Sequence, residues 1–308
     1  MRVDQLGIDE SVSILFPPNA LNDALDLPIP TKIVDGAAAA SVDCQAVVTF
    51  SYHDAFDDVA WVHSIQSGVD QFPHDRLRDA GVALTNSTGI HGDAIGETVA
   101  AYLLAFARRL PGVVTAQSDA EWSPPAWDEA WTVRGERACV VGLGTLGRGI
   151  VDRLTGLGVE VTGVRRTPTP EPGVERVYTP SNLRSAVADA RFVIAAVPLT
   201  DATTGLIDAE ILEAMREDAY LVNVARGEVV DQDALITALD DGEIAGAALD
   251  VFETEPLPAS SPLWEMDEVI VSPHCAGFTH RYHEHVGSIV AENVARIRAG
   301  DALVNRVL

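Results

Sequence analysis

Short runs of apolar residues recur along the first 90 residues, and Pro, Gly, Asp or Asn bounds each of them. Continuous apolar runs of this length are typical of parallel strands that are buried on both faces, with helices between them. We therefore predict five strands in this part of the chain, at residues 11–16, 32–34, 46–50, 61–65 and 82–85. The pattern indicates an α/β fold.

A second series of the same kind begins near residue 138. Its predicted strands lie at residues 138–141, 159–164, 192–197, 220–224, 245–249 and 269–272. Two longer segments have helical features. Residues 94–109 follow Asp93, a suitable N-cap, and precede Pro111, whereas residues 282–298 carry apolar side chains every three or four positions.

The two series predict two doubly wound parallel-sheet domains. The flavodoxin-like domain comprises residues 1–93 and 278–308, and the Rossmann-type domain comprises residues 94–277. We expect a ligand cleft between them and, because the chain crosses twice, a hinge that closes it. The polar segment 117–131 carries three tryptophans, Trp122, Trp127 and Trp131. We predict that it is an ordered arm, because three indole rings need somewhere to bury.

The second predicted domain opens with a strand that runs into a glycine motif. Gly142, Gly144 and Gly147 have the G-x-G-x-x-G spacing. The first glycine permits a tight turn, the second lets the backbone approach a pyrophosphate, and the third lets helix and strand pack closely. The N-terminus of the following helix offers N–H groups to phosphates. We therefore predict a dinucleotide-binding site.

The end of the next strand bears on which dinucleotide binds. Enzymes that use NAD usually carry an acid there, which binds the ribose hydroxyls. This chain has Arg165, Arg166 and Thr167 after the strand, with no acid. Guanidinium groups pair well with a phosphate dianion, so we predict NADP(H), with NAD(H) possible. The alternative is that both arginines lie in a solvated turn.

Three polar segments each follow a later predicted strand: NVARG from residue 223, ALDVFETEPLP from residue 248 and SPHCAG from residue 272. With VPLT from residue 197, TTGLI from residue 203 and the glycine loop, they resemble the signatures of the D-isomer-specific 2-hydroxyacid dehydrogenase family. The ordered set covers roughly residues 86–279, and a match in this order is highly specific. The N-terminal half resembles the family's layout more loosely.

The resemblance implies catalytic roles for three side chains. Arg226 would bind the substrate's carboxylate and carbonyl oxygen, His274 would be the general acid–base, and Glu255 would be its partner. Reduction of a keto group needs a proton on oxygen, which histidine can supply with its unperturbed pKa of ~6.5. A neighbouring carboxylate favours the protonated ring. Without the resemblance, the alternatives are that Arg226 is a surface arginine, Glu255 a solvated loop acid and His274 a structural histidine.

The same motifs predict the residues that bind the cofactor. They are Gly142, Leu143, Gly144, Thr145, Leu146 and Gly147 in the glycine loop, Arg165, Arg166 and Thr167, and then Val197, Pro198, Thr203, Val224, Ala225, Asp250 and Gly277. Asp250 resembles the family's acid near the nicotinamide carboxamide; a role in holding a turn or a helix end is the alternative.

For the substrate, Arg226 and His274 are expected to act together with residues of the first domain. Ser67 and Gly68 resemble the loop whose backbone N–H groups hold the substrate carboxylate, although a plain turn is the alternative. Tyr52, together with the adjacent His53, either lines the side-chain pocket or packs in the ordinary way.

A cluster of histidines near the last helix raises the question of a metal. His280, His283 and His285 have no acidic or cysteine ligand at a recognisable spacing. We therefore predict no metal site and a solvated helix start.

Charge limits the possible partners. The chain has 46 acidic and 21 basic residues, a net charge of −25, and Lys32 is its one lysine. Such a surface repels nucleic acid and anionic membranes. It resembles cytoplasmic proteins of halophiles, in which molar salt screens the repulsion; an acidic mesophilic protein is the alternative. Three cysteines without metal spacing, no signal-peptide pattern and no long apolar run predict a soluble cytoplasmic protein.

We therefore expect an oxidoreductase that reduces a small 2-keto acid to the D-2-hydroxy acid with hydride from NADPH. The resemblance also implies a homodimer, held by the helix at 94–109 and the tryptophan arm. Glyoxylate or hydroxypyruvate reduction is an alternative within this class. A non-catalytic NADP-binding regulator of the same fold is an alternative from another class.

Overall fold

The chain forms two parallel sheets, and each sheet has its own hydrophobic core. The computed structural model describes the backbone of residues 1–308 and the side chains of residues 1–39 and 43–308. One unit comprises Met1–Ile90 and Phe278–Leu308, and the other comprises His91–Gly277. The predicted fold class, two parallel-sheet α/β domains, is confirmed.

The first unit has a five-stranded sheet in the order β2-β1-β3-β4-β5, which is the flavodoxin order. Its strands are β1 (Leu6–Asp9), β2 (Thr31–Val34), β3 (Ala46–Thr49), β4 (Trp61–Ser64) and β5 (Ala83–Thr85). Its helices are α1 (Pro18–Ala24), α2 (His74–Asp79) and the C-terminal helix (Tyr282–Ala299), with 3₁₀ turns at Glu10–Ile14, Gly36–Val42 and Asp54–Asp58.

Strand alternation gives this sheet a core on each face. Val47 packs into one hydrophobic cluster and its neighbour Val48 into the other. The C-terminal helix covers the Val48 face with Val286, Val290 and Val294, which are buried at a spacing of four residues. This spacing is the helical period, and the predicted helix at 282–298 is present almost to the residue.

The first predicted strand, at 11–16, is wrong. The strand lies earlier, at Leu6–Asp9, and Glu10–Ile14 forms a 3₁₀ turn. In the misread run, Val12 and Phe16 are buried while Ile14 is exposed, which is helical spacing and not strand alternation. The true strand was missed because it contains Gly7 and the acid Asp9, both poor strand formers.

The second unit has a seven-stranded parallel sheet in the order β12-β11-β10-β9-β6-β7-β8, a Rossmann order. Its strands are β6 (Arg137–Val141), β7 (Glu160–Val164), β8 (Arg176–Tyr178), β9 (Phe192–Ala195), β10 (Tyr220–Asn223), β11 (Gly246–Leu249) and β12 (Val269–Val271). Its helices are α3 (Gly92–Ala107), α4 (Leu110–Ser118), α5 (Thr145–Gly156), α6 (Leu183–Val187), α7 (Ala209–Glu213) and α8 (Gln232–Asp240). Short 3₁₀ turns lie at Pro180–Asn182, Gly227–Val229 and Pro262–Trp264.

All six strands predicted here are present, with bounds that differ by one or two residues. The edge strand β8 was missed. It has three residues, all of them exposed or partly exposed, and such a strand leaves no continuous apolar run in the sequence. The carboxyl ends of the other strands carry the segments to which the sequence assigns chemistry.

The helix predicted at 94–109 begins at Gly92 and ends at Ala107, and its N-cap residue is His91 instead of Asp93. Pro111 does not simply end the helical region, because it lies in the first turn of α4, where proline is well tolerated. Within the part of the chain described, no single helix is long and apolar enough to cross a membrane; α3 and α4 meet that test only together and are bent by 73°.

The tryptophan arm is only partly packed. Trp131 stacks on Phe192 with ring centroids 5.7 Å apart, and the guanidinium of Arg191 lies 4.2 Å from its ring centroid. Trp122 and Trp127 are 100% and 93% exposed. The prediction that three indoles bury is therefore wrong for two of them within this chain, because none of the described helices and strands covers Trp122 or Trp127.

Candidate active site

The glycine loop connects β6 to α5 at the centre of the second sheet. The N–H of Gly142 donates to the carbonyl of Val164 at 2.9 Å, and Gly142 has φ of 104°, in the region that favours glycine. A Cβ at Gly147 would overlap the carbonyl oxygen of Gly142, so helix and strand pack as closely as the motif predicts. A Cβ at Gly144 would meet no atom within 4 Å, so this face of the loop is open.

These residues fit a dinucleotide. The first turn of α5 begins at Thr145, directly after Gly144, so its N–H groups face the open side of the loop. Leu143 is buried and packs against Gly163 of β7, which fixes the loop to the sheet, and Leu146 packs at the edge of the core. The observed arrangement is the one that holds a pyrophosphate in Rossmann folds.

The arginines after β7 have an unexpected neighbour. Arg165 Nη1 lies 2.8 Å from Glu171 Oε2, and Arg148 Nε lies 3.1 Å from Glu171 Oε1. Arg166 and Thr167 are exposed. The end of β7 carries no acid, as the sequence predicts, but the following loop places Glu171, six residues further along, against Arg165. The acid could have been noticed in the loop sequence, although nothing there shows where its side chain points.

The predicted acid–base pair is brought together. His274 Nδ1 lies 2.8 Å from Glu255 Oε2, although the two residues are 19 positions apart. Glu255 Oε1 accepts from the backbone N–H of Phe252 at 3.0 Å. Both side chains remain partly exposed, 44% for His274 and 36% for Glu255. The carboxylate is therefore held from two sides while the histidine ring keeps an accessible edge.

Burial tends to raise the pKa of Glu255, but four favourable interactions outweigh it. These are the hydrogen bond with His274, the hydrogen bond from Phe252 N–H, and the positive charges of His274 and Arg226. The pKa of Glu255 is lowered, so this carboxyl is ionised at neutral pH. The contribution of Arg226 shows that its guanidinium lies within electrostatic reach of the pair.

Asp250 holds the loop that carries His274. Its carboxylate accepts from Ser272 Oγ at 2.6 Å, Cys275 N at 2.9 Å and Ala276 N at 2.9 Å, and it is 2% exposed. These bonds match the turn-holding role that the sequence left as an alternative. A contact with the nicotinamide carboxamide stays a prediction.

The backbone at His274 is in an uncommon conformation. Its φ is 50°, in the left-handed region, and its N–H donates to the carbonyl of Asp250 at 2.8 Å. Non-glycine residues rarely adopt this conformation and do so at a cost of roughly 1–3 kcal/mol. Tyr102 OH lies 2.6 Å from Ser272 Oγ and extends the support of the loop to α3. Sequence reasoning missed both Tyr102 and Ser272 as positioning residues.

A second loop, after β10, presents Arg226. The side chain of Asn223 closes this loop, because its Nδ2 donates to the carbonyl of Arg226 at 2.9 Å and its Oδ1 accepts from Ala225 N at 3.1 Å. Gly227 lets the loop lie directly against the Phe252 backbone, where a Cβ would overlap it. The loops that carry Arg226 and Glu255 are therefore packed backbone to backbone.

The remaining predicted cofactor residues lie at neighbouring strand ends. Val197 and Pro198 follow β9, and Thr203 Oγ1 donates to the carbonyl of Pro198 at 2.6 Å, so this threonine holds its own loop. The others follow β10 and β12: Val224, Ala225 and Gly277. Because the strands are parallel, these residues share the carboxyl edge of the sheet.

In the first unit, Ser67 and Gly68 follow β4. Ser67 Oγ donates to the carbonyl of Ser87 at 3.2 Å, and the carbonyl of Ser67 accepts from Asn86 Nδ2 at 2.6 Å. Tyr52 OH donates to Asp57 Oδ1 at 3.0 Å, and its ring packs edge-on against Phe56. The ordinary packing that the sequence left as an alternative for Tyr52 is therefore present.

The three histidines near the C-terminal helix do not form a cluster of metal ligands. Within the described residues, no group of three or more His, Cys, Asp or Glu side chains is placed to hold a metal ion. His283 instead packs its ring 6.1 Å from that of Phe16.

Comparison with known proteins identifies the family. The model of the D-isomer specific 2-hydroxyacid dehydrogenase NAD binding domain matches residues 100–276, more than half of the chain. The chain belongs to this family. It is an oxidoreductase of the 2-hydroxyacid dehydrogenase type, and the resemblance seen in the sequence is confirmed.

Three individual proteins illustrate the relationship. A glyoxylate reductase of Korarchaeum cryptofilum is 32% identical over 280 residues, covering 86% of this chain and 83% of that protein. The human glyoxylate reductase/hydroxypyruvate reductase is 29% identical over 279 residues, covering 87% and 84%. A D-isomer specific 2-hydroxyacid dehydrogenase from Xanthobacter autotrophicus, solved in complex with NADPH and MES, is 30% identical, with a TM-score of 0.82 over 100% of this chain and 98% of that one.

Proposed function

We propose that this dehydrogenase reduces a small 2-keto acid to the D-2-hydroxy acid with NADPH as its preferred reductant. The observation that carries the proposal is the hydrogen bond between His274 Nδ1 and Glu255 Oε2 at 2.8 Å, beside Arg226 and at the sheet edge that bears the glycine loop. When bound, the nicotinamide supplies the hydride. The residues of the chain supply the proton, the anchor and the orientation.

His274 is proposed as the proton donor. Because its Nδ1 is engaged by an ionised carboxylate, the ring presents Nε2 to a substrate oxygen. When hydride adds to the carbonyl carbon, the carbonyl oxygen becomes an alkoxide unless it is protonated. A positioned imidazolium prevents that build-up of negative charge on the oxygen. The hydrogen bonds that Asp250 accepts from the loop of residues 272–276, together with the left-handed backbone at His274, set the direction of the ring.

Arg226 is proposed as the anion anchor. A guanidinium remains charged throughout the reaction and can bind a carboxylate while it polarises an adjacent carbonyl. In this structure Arg226 Nη1 donates to the carbonyl of Ala225 at 2.7 Å. We also propose that Ser67 and Gly68 contribute to substrate binding.

The proposed cofactor preference depends on Arg165, Arg166 and Thr167. They follow β7, where the adenosine ribose lies in Rossmann folds, and two guanidinium groups there suit a 2′-phosphate. The Xanthobacter relative was solved with NADPH, which supports the proposal. For the substrate, the relatives named as glyoxylate and hydroxypyruvate reductases favour a 2-keto acid with a short side chain.

The test is the loss of NADPH absorbance with glyoxylate, hydroxypyruvate, pyruvate and longer 2-keto acids, each repeated with NADH. We expect turnover with at least one short 2-keto acid and a higher kcat/KM with NADPH. A flat trace with every acid, while NADPH still binds, would favour the non-catalytic regulator. A clear preference for NADH would contradict the cofactor proposal.

We further propose that the protein is a homodimer. Trp122 and Trp127 are nearly fully exposed, and α4 has no buried residue and exposes Leu110 and Val114. We expect these side chains to form an apolar surface, which is typical of an interface. Size-exclusion chromatography with light scattering should give a mass near twice the 32.8 kDa of one chain. The double variant Trp122→Ser, Trp127→Ser should have a mass closer to that of the monomer.

The acidic surface suggests a cytoplasm with high salt. A net charge of −25 opposes the compact state unless salt screens it. We propose a cytoplasmic protein of a halophile whose free energy of unfolding rises between about 0.1 and 2 M KCl. Denaturation at a series of salt concentrations tests this, and a free energy that is flat or falls with salt would contradict it.

A further inference from the structure

A second charged cluster lies apart from Arg226, Glu255 and His274. It consists of Arg148 in the first turn of α5, Arg165 directly after β7, and Glu171 in the loop before β8. Each oxygen of the Glu171 carboxylate pairs with a different arginine, at 2.8 Å to Arg165 Nη1 and 3.1 Å to Arg148 Nε. Glu171 has a side-chain exposure of 14%, whereas Arg148 is 56% exposed. The Glu171 carboxylate therefore lies mostly buried between the guanidinium groups of Arg148 and Arg165.

The cluster lies where the proposed function needs positive charge. A carboxylate and a phosphate monoester are both oxyanions that bind guanidinium N–H groups in the same plane. Glu171 already occupies a donor of Arg165, the arginine proposed for the 2′-phosphate. Arg166, in contrast, is exposed and has no ion pair among the residues that the structure describes.

We propose that Glu171 sets the choice between NADPH and NADH by competing with the 2′-phosphate for Arg165 and Arg148. The proposal rests on the proposed function, since it assumes that a nicotinamide dinucleotide binds at the glycine loop. NADPH must either displace the Glu171 carboxylate or bind its phosphate dianion beside it. NADH has no such group and leaves the ion pairs intact.

The charge balance gives the direction of the effect. Two arginines against one glutamate leave the cluster with a net charge of +1, and neutralising Glu171 raises that to +2. A dianion responds to this change, whereas a neutral ribose hydroxyl does not. Glu171→Gln should therefore tighten NADPH binding and leave NADH binding nearly unchanged.

The experiment measures binding, so it does not depend on turnover. Dissociation constants for NADPH and NADH are determined by calorimetry for the wild type, Glu171→Gln and the control Glu175→Gln, at one ionic strength. Glu175 is an exposed acid four residues further along, so the control removes the same charge outside the cluster. We expect the NADPH:NADH affinity ratio to rise about tenfold in Glu171→Gln and to stay within about twofold in the control.

Two additional measurements identify the cause. The same dissociation constants are measured with adenosine 2′,5′-bisphosphate and with AMP, neither of which carries a nicotinamide. Only the bisphosphate should bind Glu171→Gln more tightly than it binds the wild type. In an Arg165→Ala background the effect of Glu171→Gln should shrink severalfold, because the two residues act as a pair. Glu171→Ala provides a second variant if the glutamine variant folds poorly by circular dichroism.

An unchanged or lower NADPH:NADH ratio in both Glu171 variants would overturn the proposal. An unchanged NADPH:NADH affinity ratio would mean that the ion pairs of Glu171 with Arg165 and Arg148 have only a structural role. A loss of NADPH affinity would mean that Glu171 orients Arg165 for the phosphate. A rise in the ratio that came only from weaker NADH binding would also overturn the proposal, because it would mean that Glu171 binds the ribose. If wild-type protein bound neither nucleotide, the proposed function itself would fail.

Discussion

Each unit carries a carboxylate beside a histidine at the carboxyl end of its sheet, and the two pairs differ in how they are satisfied. In the first unit, Asp9 is 2% exposed and lies 3.5 Å from His53 Nε2. Its oxygens also accept from Thr49 Oγ1 at 2.6 Å and Gly36 N at 2.8 Å. In the second unit, Glu255 is 36% exposed and bonds His274 at 2.8 Å.

The difference separates a structural pair from the pair that we propose to be reactive. A buried carboxylate whose lone pairs are filled by hydroxyl and amide donors stabilises the turn around it and has nothing left for a ligand. A carboxylate with few partners can stabilise the positive charge of a neighbouring protonated ring, and the accessible edge of that ring can give its proton to whatever binds there. Sequence proximity to a strand end does not distinguish them, but the number of donors around each does.

Replacing the two histidines should sharpen this comparison most. His274→Gln removes the proposed proton donor, so kcat for 2-keto acid reduction should fall by about 10²–10⁴-fold. The matched His53→Gln should stay within about threefold of the wild type at saturating substrate. Steady-state rates with NADPH measure both. Equal losses in the two variants would mean that the first pair also takes part in the reaction.

Removing the buried acid should affect stability instead. Asp9→Ala leaves the Gly36 N–H without its acceptor in a buried setting and removes one of the two acceptors of the Thr49 hydroxyl, which keeps the carbonyl of Ser51. The free energy of unfolding should therefore fall by about 2 to 3 kcal/mol. Urea denaturation gives the value, and Ser11→Ala, which removes a single donor to the same carboxylate, is a milder control expected near 1 kcal/mol. A loss below about 0.5 kcal/mol would contradict the structural assignment.

Neutralising the exposed acid should act on turnover with little effect on folding. Glu255→Gln removes the charge that favours the protonated ring, so kcat should fall about 10- to 100-fold at neutral pH and recover partly as the pH is lowered. Glu253→Gln, an exposed acid two residues earlier, is the control and should keep its profile. A Glu255→Gln enzyme with an unshifted pH profile would show that the carboxylate does not act through His274.

A third histidine tests burial without a carboxylate. His63 is fully buried, bonds Thr85 Oγ1 at 2.8 Å and Ser87 Oγ at 3.1 Å, and burial lowers its pKa to about 3. Below an unfolded pKa of ~6.5 the unfolded chain binds a proton that the folded chain refuses. Stability should therefore fall by about 1.4 kcal/mol per pH unit between pH 6.5 and 3. His63→Gln should show a shallower slope in acid denaturation, and an equal slope would contradict the neutral buried state.

Much of the fold and of the proposed catalytic trio was predictable from the sequence. Ten of the predicted strands correspond to observed ones, because a parallel strand buried on both faces must be a continuous apolar run. The glycine motif was equally readable, since the spacing of Gly142, Gly144 and Gly147 follows from turn and packing sterics alone. The edge strand β8 and the first strand were missed because neither leaves such a run.

The pairing of His274 with Glu255 could be anticipated only through resemblance to a family. By their own sequence context, both residues are polar positions in loops, and no local rule brings them to 2.8 Å. Parallel pairing of β10, β11 and β12 does so, because it places the ends of strands far apart in sequence side by side. The same applies to Asp250, whose three donors come from a loop more than 20 residues away.

The sequence by itself determined the α/β architecture, the glycine loop and the supply of acids, bases and cations at the strand ends. These are consequences of local periodicity and sterics, which act over a few residues. Only the tertiary structure decided that Glu171 turns back onto Arg165, that Asp250 holds the loop that carries His274, and that Trp122 and Trp127 remain exposed. Such outcomes depend on which hydrogen-bond donors and acceptors meet between segments that are distant in sequence, and local sequence patterns do not specify those neighbours.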